Sequence, residues 1–192
     1  MKTITTSLLL APLLLLMPKA VAEHQIFSID PASSEVSFSL SDPIHAVHGT
    51  FHVQTGSVDF NRAGPDISGT VIVAAGSGDS GSESRDRKMS TEILDAPKFA
   101  TASFAPHSYQ GAIALSGDST VQVTGTFTLH GTSHELTVPM RIHIDGTSCT
   151  AKTHFVVPYV KWGLKDPSNF LLKVDKEVGI DLTLNGHITP AS

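Results

Sequence analysis

The chain has 192 residues, with 13 Lys and Arg, 18 Asp and Glu and 10 His, and a formal net charge of −5 with histidine neutral. This balance, with no basic stripe, excludes nucleic acid as the expected partner, and no basic amphipathic helix points to a membrane surface. Cys149 is the only cysteine, which excludes an intramolecular disulfide; stability must come from an ordinary core, which about 170 residues can build.

The chain opens with the layout of a secretion signal: Lys2, an apolar run from Leu8 to Met17 interrupted by Pro12, then Ala20-Val21-Ala22 as a cleavage site. The run is too short to span a bilayer comfortably as a helix. Residues 1–22 are therefore expected to be a signal peptide and residues 23–192 a single domain, periplasmic or secreted, with no stable membrane insertion after cleavage. No cysteine stands at the junction for lipid attachment.

Strand patterns then follow one another. Gln25 to Asp30 comes first. Glu35 to Leu40 sets Val36, Phe38 and Leu40 against Glu35, Ser37 and Ser39. Gly49 to Phe60 places Phe51 and Val53 on one face, and Ser68 to Ala74 carries Val71 and Val73. Thr101 to Ser108 includes Phe104. In Val121 to Ile144 the period-two pattern is clearest. Val123, Phe127 and Leu129 hold odd positions; after the turn His130-Gly131-Thr132-Ser133 the parity changes, and Val138, Met140 and Ile142 hold even ones. Alternation puts each set on one sheet face, and two such runs around a Gly-containing turn predict an antiparallel hairpin. Lys152 to Val157 and Glu177 to Ile188, with Ile180 and Leu182, complete the series.

Asp30-Pro31, Arg62-Ala63-Gly64-Pro65-Asp66, Ser116-Gly117-Asp118 and Asp145-Gly146 supply turn signals. The exception to strand patterning is Gly76 to Pro97: a flexible Gly/Ser tract, then a short helical plug over residues 83–95, with Met89 and Ile93 one turn apart and Ser90 or Thr91 placed to cap a second short helix before Pro97. Strands at this spacing with almost no helix predict an all-β, antiparallel barrel or sandwich. A barrel of about eight strands is either filled by side chains or holds one small ligand.

Some of these segments resemble those of the YceI-like family. Phe27-Ser28-Ile29-Asp30 with Ser34 to Leu40 resembles its first hairpin, and His48-Gly49-Thr50-Phe51 and Gly56-Ser57-Val58-Asp59-Phe60 its next strands. Ser84-Arg85-Asp86-Arg87-Lys88-Met89 with Leu94 to Ala100 is similar to its helical signature. Gly125 to Gly131 with Val138-Pro139 resembles its most regular hairpin. The resemblance runs from about Gln25 to Ile188, in order and spacing rather than in any one motif. The Gly/Ser-rich approach to Ser84 departs from it, and Pro158 to Ser168 resembles only one branch. It implies a lipocalin-like antiparallel barrel of about eight strands, periplasmic or secreted, that is not an enzyme and whose lumen holds a long apolar chain such as a polyisoprenoid, quinone-like or fatty-acyl lipid.

The residues expected to face such a lumen are Phe38, Leu40, Phe51, Val71, Val73, Phe104, Val123, Phe127, Leu129, Val138, Met140, Ile142, Ile180 and Leu182; alternation alone leaves open whether they line a cavity or fill a core. At the mouth, Arg85 and Arg87 either pair locally or meet a polar ligand head, and Tyr159 and Trp162 form either aromatic core or a mobile rim loop bracketed by Gly163 and Pro167. The alternatives are a filled barrel acting as a stress-associated interaction module and, more weakly, a histidine-based metal binder. His48 and His52 share a strand face but stand about 13 Å apart; His45 and His48 meet only if the chain turns. His130 and His134 flank a turn and are the better pair, yet two imidazoles make an incomplete site. No G-x-S-x-G elbow, catalytic carboxylate pair or phosphate loop occurs, so no catalytic residue, cofactor or metal is expected. The expected partner is an apolar, lipid-like ligand, with a homodimer left open.

Overall fold

An apolar sheet face must be covered, and a sheet that closes on itself covers its own. The computed structural model describes residues 24–41, 46–168, 170 and 173–191; the expected signal segment and His45 lie outside them. Its strands are β1 (His24–Ile29), β2 (Glu35–Ser41), β3 (Ala46–Phe51), β4 (Val53–Asn61), β5 (Ile67–Ala74), β6 (Thr101–Gln110), β7 (Gly117–Leu129), β8 (Thr132–Asp145), β9 (Ser148–Val157) and β10 (Val178–Pro190). They pair antiparallel in the order β1-β4-β5-β6-β7-β8-β9-β10-β2-β3, with β10 also on β1.

That double role of β10 closes the barrel. One edge of β10 pairs with β9; the other pairs with β2 through Gly179–Thr183 and with β1 from Gly186 to Pro190. β1 and β2 are thus two halves of one broken strand, facing β4 and β3 in turn. The result is an eight-stave, up-and-down antiparallel barrel. The expectation of a hairpin between β1 and β2 is corrected here. Pro31 has no N–H to give the ladder, so the chain steps out through a 3-10 turn, Pro31–Ser33, and back in. Asp30 caps the step, its carboxylate accepting from Ala32 N (3.0 Å) and Ser33 Oγ (2.7 Å), while Asp30 N donates to Asn185 O of β10 (2.8 Å).

Two register shifts change which parity faces inward. One lies between Val53 and Thr55 in β4, the other between Pro106 and Ser108 in β6. In β6 the lumen side passes from Ala102, Phe104 and Pro106 to Tyr109, because a bulge inserts one residue without a partner.

The helical plug is present but differs in detail. Helix α1 (Glu83–Lys88) runs directly into a π-helical turn, Met89–Ile93. No second helix starts at Ser90 or Thr91; Thr91 Oγ1 instead donates back to Arg87 O (2.8 Å), a bond that satisfies the hydroxyl inside a continuing helix. The Gly/Ser tract before it is stitched to the barrel rather than loose. Thr50 and Asp79 exchange two backbone hydrogen bonds (2.9 and 3.0 Å), His52 N donates to Ser77 Oγ (2.8 Å), and Ser80 N donates to Asp86 (2.9 Å).

Cys149 is the second residue of β9, buried in the core beside Ile144. Burial pushes its thiol up to about 11, which leaves almost no thiolate near neutrality. Iodoacetamide at pH 8 is therefore expected to leave the native protein unlabelled and to label it fully in urea; rapid native labelling would show that β9 opens locally.

Candidate functional site: the barrel lumen

The inward side chains do not meet across the axis. They enclose a cavity of about 570 Å³, within the range of small-molecule sites. From Val121 to Leu129 along β7 is eight residues, on the order of 20 Å along the axis of a barrel with tilted strands. One end is closed by the loop between β6 and β7. Ile113 drops from it into the lumen, Arg62 donates to Ala114 O, and Ala114 N donates to Ser119 Oγ (2.9 Å). Buried Tyr109 seals that end, its hydroxyl donating to Asn61 O (2.7 Å). The other end is covered by α1, the π turn and the segment after β9, through Met89, Ile93, Leu94, Leu164, Pro167 and Val174.

All fourteen residues expected on the lumen face border this cavity. Further wall residues lie outside those fourteen: Val36, which alternation sets with Phe38 and Leu40, and Cys149, Ala151, Phe155 and Val157, which share one face of β9. The charged side chains among the lining are Arg85 and Lys88, both from α1, with Ser82 and Ser84 beside them. Lys88 was missed because strand alternation says nothing about which face a six-residue helix presents.

A model of the YceI-like domain matches residues 27–186. The chain belongs to the YceI-like family. A UPF0312 protein of Pseudomonas fluorescens is 28% identical over 145 residues, covering 70% of this chain and 72% of that one; another from Pseudomonas savastanoi is 27% identical over 149 residues, covering 76% of each. Among solved structures, a polyisoprenoid binding domain from Saccharophagus degradans, implicated in plant cell wall breakdown, superposes with a TM-score of 0.68 at 18% identity, over 85% of this chain and 98% of that one. Burkholderia cenocepacia BcnA gives 0.68 at 22% identity, over 82% and 99%. At these identities the structures share the barrel fold.

In this YceI-like barrel the four mouth candidates separate. Arg85 borders the lumen, held by bonds from Nε to Ser80 Oγ (2.7 Å) and from a terminal guanidinium nitrogen to Ser80 O (3.1 Å). Arg87 is exposed and off the cavity. Tyr159 borders the cavity, but its hydroxyl is committed to Asp175 O (2.6 Å), tying together the two ends of the segment between β9 and β10; burial and the nearby Asp166 and Asp175 push it up to about 12. Trp162 is not on the cavity surface. It lies flat on His134 (ring centroids 3.9 Å, planes 8° apart) and against Phe127 (5.8 Å), wedging the turn after β9 onto the barrel end. That turn is hydrogen-bonded within itself, Trp162 N to Pro158 O and Leu164 N to Tyr159 O (both 3.0 Å).

The histidines do not converge. His134 lies opposite Phe127 in the ladder and under Trp162, while His130, with φ at +52°, packs at a tilt against Phe99 (ring centroids 4.4 Å, planes 52° apart), so this pair does not meet. Four others each face a single carboxylate on the outer surface: His24 with Asp59, His107 with Glu135, His143 with Asp118 and His154 with Asp181, at 2.6–3.0 Å. Such exposed pairs contribute little stability. Among the described residues no three His, Cys, Asp or Glu side chains are grouped to hold a metal ion.

Proposed function

We propose that this chain is a non-enzymatic binding or carrier protein, periplasmic or secreted, which holds one elongated apolar ligand of the polyisoprenoid, quinone-like or fatty-acyl class in its lumen. The observation that carries this is the long cavity itself, apolar along its wall and cationic only at the plug. Each methylene buried there contributes about 0.8 kcal/mol, and its length exceeds the roughly 15 Å of one leaflet of a bilayer's hydrocarbon core. The ligand's polar end belongs beside Arg85 and Lys88, since the plug supplies the charged lining. The filled-barrel alternative loses ground because side chains leave the axis open; the metal alternative loses ground because the histidines are dispersed.

Mass spectrometry of an organic extract of the protein, purified without detergent from its native compartment, tests this reading. One isoprenoid or acyl lipid per chain is expected. Stripping that lipid should also lower the melting temperature. A ligand at about 100 times its Kd stabilises by ~2.7 kcal/mol, equivalent to about 5–10 °C for a domain of this size. An empty extract, with no thermal shift when such lipids are added back, would overturn the carrier reading.

A further inference from the structure

Strands supply most of the lumen wall. The lining residues outside them come from two segments, β5 to β6 and β9 to β10, which cover the plug end. Ile113 is the exception. It reaches the lumen from the β6–β7 loop at the opposite end, and there it packs against both the cluster around Ile144 and the cluster of Tyr109, Val121, Val123 and Val138.

No ladder fixes Ile113, so its place depends on what holds its loop. Ala114 beside it has both backbone polar groups bound: its N donates to Ser119 Oγ (2.9 Å) and its O accepts from the Arg62 guanidinium, which lies over the Phe60 ring (5.6 Å). Further on, Ser116 Oγ donates to Ile144 O (3.4 Å), while the side chain of Leu115 between them is 75% exposed and off the lumen. Swinging this loop aside would break those bonds and strand part-buried partners. The loop is therefore a fixed floor, with Ile113 as the side chain it presents.

A ligand whose polar end stays beside Arg85 and Lys88 runs its tail toward that floor. Each methylene that enters the lumen adds affinity until the tail reaches Ile113; a further one must remain at the plug end or crowd the floor. We infer that Ile113 sets the longest chain the lumen accepts. This rests on the carrier reading and adds a length specificity to it.

Titration of delipidated protein with the even-numbered saturated fatty acids from laurate to lignocerate supplies the test. Affinity should rise about fourfold per methylene and then stop rising at one length, the limit. Ile113→Ala vacates the room of Cγ1, Cγ2 and Cδ1, so the limit should lengthen by about two to three methylenes, or roughly 15- to 60-fold in affinity for the acids that the wild type accepts only in part. Ile113→Phe should shorten the limit, and Leu115→Ala, in the same loop but off the lumen, should leave it where it is. A purely structural role for Ile113 would weaken every acid by the same factor without moving the limit, and that result would overturn the inference. So would a limit that moves equally in Leu115→Ala, or wild-type affinity that climbs through the whole series. In each of these cases the acids still bind and only the inference falls. If the wild type binds none of them, the carrier reading falls and takes this inference with it.

Discussion

Replacing Ala151 with phenylalanine is expected to weaken fatty-acyl uptake about 30-fold while the barrel stays folded. Ala151 is the smallest wall residue at mid-lumen, paired with Ile142 of β8 and Leu184 of β10, with its methyl facing the cavity. A benzyl group projecting from there enters space that the ligand would occupy. Excluding two or three methylenes at about 0.8 kcal/mol each forfeits roughly 2 kcal/mol of binding, which is the 30-fold. The stability readout separates this from ordinary damage. In a filled core the same change overpacks and costs ~1–3 kcal/mol; in an open lumen the ring finds apolar surroundings and the urea midpoint barely moves. Titration with a fluorescent fatty acid, beside a denaturation curve, reads both. A lowered midpoint with unchanged uptake would place the ligand somewhere other than this cavity.

Much of the wall was legible because an antiparallel sheet records its buried face in the parity of its residues. β7, β8 and β10 are long, regular strands, and their Val, Phe, Met, Ile and Leu positions point where alternation places them. What escaped the sequence belongs to events that parity does not encode. Pro31 reads as a turn, yet only closure of β10 on both β1 and β2 shows that the turn is a step within one strand. Ser90 and Thr91 read as caps because they precede a second apolar turn, but the helix is already running and widens through them. Arg85, Arg87 and Lys88 lie within a four-residue span, and which of them border the lumen depends on how α1 seats, through Ser80 and Asp86, against the barrel end. The histidine pattern misled for a related reason. Sequence proximity around His130 and His134 suggested a pair, but φ at +52° and the ring of Trp162 send them to different neighbours.

Gly125→Val is expected to disrupt the wall, costing about 3 kcal/mol. By parity Gly125 belongs with Val123 and Phe127, and the sequence shows a gap there in an otherwise apolar series. The gap has a physical use. Gly125 lies opposite Pro106, at the point where the β6 bulge begins. A Cβ on it would stand 2.5 Å from Ala105 O, 2.7 Å from Phe104 Cζ and 2.7 Å from Pro106 Cα. Two of those three are backbone atoms, so rotamer changes cannot relieve the clash and β6 itself must move away from β7. A bulge bends the strand that carries it, and a glycine on the neighbouring strand admits the close approach that bending produces. Curvature at this seam is therefore specified jointly by an inserted residue on one strand and a missing side chain on the next. Urea denaturation measures the cost through the midpoint and, through the slope, any change in compactness. Gly146, at φ +58° in the β8–β9 turn with no atom within 4 Å of an added Cβ, serves as the contrast: Gly146→Ala pays only the local backbone penalty and should leave the lumen unaltered. If Gly125→Val proves no worse than Gly146→Ala, the bulge does not press on β7, and the barrel must take its curvature elsewhere.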